Sequence, residues 1–131
     1  MITKVYRTLF WTGYLSVLVT TFIPIAGSLN EINIGPKSFH IRLDHLIHLA
    51  VYFFICMYFL EGAKMRIYLF DNNPLKKFII LVLFLAITTE LAQLWVPERA
   101  FNLFDLISNL AGVGVGVLII KMVHRYDGLK V

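Results

Sequence analysis

At 131 residues the chain has room for one domain, and with 59% hydrophobic but only 15% charged residues it departs from ordinary soluble composition in both directions. A mean hydropathy of +0.77 instead suits an integral membrane protein. The net charge of +4 does not indicate nucleic acid, because the basic residues fall mostly between apolar runs, where they act as orientation signals. The single cysteine, Cys56, excludes an internal disulfide and sits in an apolar run as a small core residue.

Four segments approach the roughly 20 apolar residues needed to cross a bilayer. The first covers residues 5–26. With Lys4 and Arg7 ahead of it, it resembles a secretory signal, but it exceeds the apolar core of about 7–15 residues typical of one, so a retained helix is expected. A polar connection, 27–42, contains Gly35 and Pro36. The second span is 43–60, followed by a basic connection, 61–77, built around a turn at Asp71-Asn72-Asn73-Pro74. The third span, 78–96, and the fourth, 103–123, are joined by a tight turn at 97–102. All four are expected to be helices, since lipid leaves no partner for the backbone of an open strand. The predicted fold is all-α, a polytopic four-transmembrane-helix bundle forming one domain over 1–131.

Direction follows from charge. The N-terminus, the second connection and the C-terminus carry nine Lys and Arg (Lys4, Arg7, Lys64, Arg66, Lys76, Lys77, Lys121, Arg125, Lys130). The other two connections carry three (Lys37, Arg42, Arg99). The positive-inside rule puts both termini in the cytoplasm of a bacterial inner-membrane protein, with the first and third connections outside. Lys37, His40 and Arg42 then fall at the outer headgroup level, and Trp11, Trp95, Tyr6 and Tyr126 suit interfacial belts. Glu61 falls at the inner surface, within reach of Lys64.

Polar residues gather toward the outer ends of three spans. Asp44, His48 and Tyr52 repeat every four residues and share a helical face, with His45 beside them. Glu90 and Gln93 share a face of the third span, Glu90 lying seven residues before Pro97, or about 10 Å along a helix. Asp105, Asn109, Gly112 and Gly116 share a face of the fourth. Inside a bilayer an ionised side chain costs about 2.5–3.5 kcal/mol, so such groups are expected to meet one another or a wet cavity. Arg99, on the turn, is the expected counter-charge, with His45 and His48 as others. Asp44 and Asp105 could instead cap their helices, and Asn109 and Gln93 could bond helices together. Gly112 and Gly116 form a G-x-x-x-G pair for close packing, and Gly114 is expected to pack as well. Glu90 fits no capping role.

The order D-x-x-x-H-x-x-x-Y, then E-x-x-Q, R and D-x-x-x-N-x-x-G-x-x-x-G, carried here by Asp44, His48, Tyr52, Glu90, Gln93, Arg99, Asp105, Asn109, Gly112 and Gly116, resembles the VanZ-like family of small bacterial membrane proteins. The resemblance implies a cell-envelope setting, and an association with glycopeptide resistance, teicoplanin above all; it implies no reaction. The chain departs from the family at His45, where members often carry lysine, so a fixed cation gives way to an imidazole whose charge depends on pH.

The favoured function is an outward-facing site that binds or handles an envelope lipid or its headgroup. Its ligand-binding candidates are Asp44, His45, His48, Tyr52, Glu90, Gln93, Arg99, Asp105 and Asn109. A membrane enzyme acting on a lipid-linked substrate is the alternative, with Glu90 as acid or base and His48 and Asp105 as further catalytic candidates. A small structural or adaptor protein, whose polar layer fixes helix packing, is a third. Asp44, His48, Glu90 and Asp105 are the residue types a metal would use, but no compact metal motif is present and no metal is expected. The expected partners are membrane lipids or a lipid-linked cell-wall precursor, with room for a homo-oligomer; no cofactor is assigned.

Overall fold

A computed structural model describes residues 1–23, 33–34, 41–97 and 101–127. Uninterrupted apolar runs become helices here, and the breaks between them fall where local chemistry ends a helix. The helices are α1 (Ile2–Thr20), α2 (Leu43–Lys64), α3 (Pro74–Ala92) and α4 (Leu103–Asp127), with a short 3₁₀ turn, Gln93–Trp95, after α3. Two two-residue strands, β1 (Asn33–Ile34) and β2 (Ile41–Arg42), pair antiparallel before α2, with Asn33 opposite Arg42 and Ile34 opposite Ile41. This pairing lies within the connection expected to be a plain polar loop.

Among the described residues three helical segments, Leu43–Lys64, Pro74–Trp95 and Leu103–Tyr126, are long and apolar enough to cross a membrane. They correspond to the second, third and fourth predicted spans. The first differs: α1 starts at Ile2 and ends at Thr20, where 5–26 was expected. Lys4 and Arg7 lie within the helix and dilute its apolar character, and residues 24–26 of the expected span are outside the described residues.

The helix boundaries have local causes. At the end of α2 the Arg66 amide donates to the Ala63 carbonyl at 3.0 Å and the Ile67 amide to Gly62 at 2.8 Å. These two bonds form a Schellman closure, with Arg66 at φ 58° in the left-handed position usually held by glycine. Asn73, also left-handed at φ 49°, precedes α3, and Pro74 enters at the first turn, where its missing amide costs nothing. The third helix therefore begins four residues before the predicted 78, at Pro74.

Paired contacts set the directions of the helices. His45 meets Asp105, His48 meets Asn109 and Cys56 meets Val113, so α2 and α4 run parallel. Phe59 stacks on Phe78 at 4.2 Å while Tyr52 meets Thr89, so α3 runs back against them. Along this trio the interior changes character. One end is apolar, filled by Phe59, Phe78, Val82, Leu85 and Ile120; the other holds Glu90, Gln93, Asp105 and Asn109. Outside, Phe54, Ile80, Phe84, Leu94, Phe104 and Leu118 are exposed. Apolar side chains outside and polar ones within is the arrangement lipid favours.

The first helix is fastened at the apolar end. Tyr6 and Tyr58 stack with centroids 4.7 Å apart. Each hydroxyl donates to the other residue's carbonyl, at 3.1 and 3.0 Å. Tyr6 is buried, so it serves helix packing and not the interfacial belt expected of it, whereas Trp95 and Tyr126 are exposed. Next to it, Arg7 donates to the Tyr68 carbonyl at 3.1 and 2.9 Å and lies 3.5 Å from Asp71. These contacts put the start of α1 at the same end as the α2–α3 connection.

Candidate functional site

The polar end is built on a close approach of α2 and α4. A β-carbon added to Gly112 would lie 2.3 Å from the Leu49 carbonyl oxygen, and one added to Gly116 would lie 2.3 Å from the Cys56 β-carbon. Only glycine lets the two backbones come this close. Gly114, expected to pack too, has nothing within 4 Å of its would-be β-carbon. Two residues from Gly112 on a helix of 3.6 residues per turn, it points away from α2.

This proximity carries α2 side chains onto α4. His45 Nδ1 lies 2.6 Å from Asp105 Oδ1, and His48 Nδ1 lies 3.0 Å from Asn109 Oδ1. Asn109 in turn donates through Nδ2 to Glu90 Oε1 on α3, at 2.8 Å. Glu90 and Asn109 are fully buried. Because the Asn109 amide nitrogen is committed to Glu90, its oxygen faces His48 and must accept, which assigns the proton of His48 to Nδ1. The Nε2 of His48 then faces Asp105 Oδ2 at 3.9 Å, and its Nδ1 is also 3.7 Å from Glu90 Oε1.

At the half-buried end of this layer, Asp44 Oδ2 receives Arg42 Nη2 at 2.5 Å, and Asp44 Oδ1 accepts from the His45 amide at 2.9 Å. Deeper in, the Tyr52 hydroxyl and Thr89 Oγ1 are 2.9 Å apart, and Thr89 donates to the Ala86 carbonyl at 3.1 Å. Tyr52 is therefore the donor of the pair. Gln93 is buried in the 3₁₀ turn just beyond α3. Phe104, itself exposed, stands over His45 with ring centroids 6.0 Å apart.

The structure thus brings together Asp44, His45, His48, Glu90, Asp105 and Asn109; Tyr52 bonds to Thr89 next to Glu90, and Gln93 is buried three residues beyond Glu90. Arg99, the expected counter-charge, lies outside the described residues. The capping role is settled by Asn102, whose Oδ1 accepts from the Phe104 amide at 3.0 Å and leaves the Asp105 carboxylate to His45. Two participants were missed in the sequence. Arg42 was placed among headgroups, yet it pairs with Asp44 only two residues away. Thr89 had one signal, its position directly before Glu90.

Chemically the layer alternates carboxylate and imidazole from a half-buried rim to a fully buried carboxylate. It can accept hydroxyl and amide donors or hold a cation. A family model described as VanZ/LLP1 matches residues 9–124, nearly the whole chain. Comparison with curated proteins and with solved structures gave no match.

Proposed function

The chain belongs to the VanZ/LLP1 family, and we propose that it is a four-span protein of the bacterial cytoplasmic membrane whose polar layer opens outward and binds the headgroup of an envelope lipid. The observation that carries this reading is the run of neighbouring polar groups, each within 4 Å of the next, from Asp44 at the rim, through His45, Asp105, His48 and Asn109, to the buried Glu90. Uncompensated, such groups would be expelled from a membrane. Linked as they are, they form a polar socket in an apolar bundle. The excess of Lys and Arg on the termini and the α2–α3 connection supports cytoplasmic termini, and the contacts of Arg7 with Tyr68 and Asp71 join two of those segments. The socket then faces the side where cell-wall precursors are displayed. Hydroxyl and amide groups of a headgroup suit its carboxylates, and the family's association with glycopeptide resistance, teicoplanin above all, fits this setting.

The test is survival under glycopeptide or envelope stress, with Glu90→Gln and Asp105→Asn compared with the wild-type chain at equal membrane abundance. Loss of the phenotype in both is expected. Full activity in both overturns the reading and leaves a structural or adaptor role.

The burial of Glu90 within 3.7 Å of His48 favours a second reading, acid–base catalysis on a lipid-linked substrate. Turnover of a radiolabelled lipid extract separates the two: a product lost in Glu90→Gln supports the enzyme, and no product after long incubation leaves the binder.

A further inference from the structure

We propose that Asp44, His45 and Asp105 hold a divalent cation of the Zn²⁺ or Mn²⁺ kind at the half-buried end of the polar layer, with solvent or ligand oxygens completing its coordination. One ligating atom from each of the three lies within 4.8 Å of the others. His45 Nδ1 is 2.6 Å from Asp105 Oδ1 and 3.7 Å from Asp44 Oδ1. Ions of this kind bind carboxylate oxygen and imidazole nitrogen at about 2.0–2.2 Å, which sets neighbouring ligand atoms about 3–3.5 Å apart. The cluster brackets that spacing, and the short contact opens as the ion replaces the proton between His45 and Asp105. Mixed imidazole and carboxylate donors suit Zn²⁺ or Mn²⁺, whereas Ca²⁺ and Mg²⁺ prefer oxygen alone.

His48 lies beside this cluster and outside it. The Nδ1 proton of His48 is committed to Asn109. The lone pair on Nε2 therefore faces a carboxylate oxygen of Asp105 across 3.9 Å. That gap is too long for a hydrogen bond, so His48 leaves Asp105 to His45 and to the cation. Asp105, its side chain 9% exposed, has only His45 and His48 as ionic partners among the described residues. Arg42 serves Asp44. A divalent cation there balances the two carboxylates, Asp44 and Asp105, together.

The cation also adds to the headgroup reading, on which this last step rests. A layer holding Asp44, Glu90 and Asp105 repels a phosphate, but open positions on a bound cation accept phosphate oxygens. The ligand class becomes a phosphate-bearing lipid headgroup bridged through the ion.

Full-length protein in detergent, stripped with a chelator and titrated with Mn²⁺ followed by electron paramagnetic resonance, tests the site. One equivalent should bind and be displaced by Zn²⁺. His45→Gln and Asp105→Asn, each checked for wild-type helicity and elution, should weaken binding at least about tenfold, while His124→Gln binds as wild type. Absence of stoichiometric binding, or wild-type affinity in the folded variants, overturns the proposal. If Asp105→Asn fails to fold, His45→Gln at the rim decides. Phosphate-lipid retention, measured separately with and without Mn²⁺, tests the headgroup reading: cation binding without any effect on retention overturns the bridging role and leaves the metal site standing.

Discussion

Asn109 donates its amide to Glu90 at 2.8 Å while its carbonyl oxygen meets His48 at 3.0 Å, so one side chain joins all three helices and sets the proton position of the imidazole. The amide is matched to its neighbours in both directions. Asn109→Leu would strip the fully buried Glu90 of a donor and His48 of an acceptor. A loss of about 1–3 kcal/mol is expected, read as a lower unfolding temperature in detergent.

Glu90→Gln behaves differently, because a glutamine oxygen can still accept from Asn109. The unfolding temperature should hold or rise, since a buried ionisable group is removed, while the stress phenotype is lost. Measuring both on the same variant separates a chemical role from a packing one; a stable and fully active variant assigns Glu90 to packing.

The α2–α4 approach predicts a contrast between neighbouring glycines. Gly112→Ala forces a methyl against the Leu49 carbonyl, and overpacking of this kind costs about 1–3 kcal/mol. It should also part His45 from Asp105, weakening any ligand the layer holds. Gly114→Ala, which meets nothing, should leave thermal stability unchanged or slightly raised. Equal effects at both positions would contradict the close approach.

At the other end of α2, Arg66 sits at φ 58°, a conformation that costs a residue with a side chain roughly 1–2 kcal/mol. Arg66→Gly should raise the unfolding temperature, the gain being reduced by the greater freedom of glycine in the unfolded chain. A clear drop would show that the arginine makes a compensating contact.

Membrane direction is tested by labelling. In a Cys56→Ala background, Lys130→Cys should react with an impermeant maleimide only after the cytoplasmic side is opened, and Lys37→Cys should react in intact cells. Labelling of both from outside would contradict three crossings by α2, α3 and α4, which set residues 37 and 130 on opposite sides.

The three apolar helices were legible because span length and flanking charge are local properties. The face shared by Asp105, Asn109, Gly112 and Gly116 was legible because helical periodicity is local too. The first helix was harder: Lys4 and Arg7 lie inside it, and the burial of Tyr6 depends on Tyr58, 52 residues away. Similarly, composition alone could not show that Asn102 caps α4 and frees Asp105, or that Gly114 faces away while Gly112 sits against α2.

The sequence by itself determined that polar groups collect toward one end of three apolar helices, since lipid penalises them anywhere they cannot find partners. The tertiary structure alone decided the partners. His45 reaches Asp105 and His48 reaches Asn109 across separations of 60 and 61 residues. That register depends on how α2 and α4 rotate and slide against each other. Glycine backbones in contact settle that placement, and helical periodicity leaves it open.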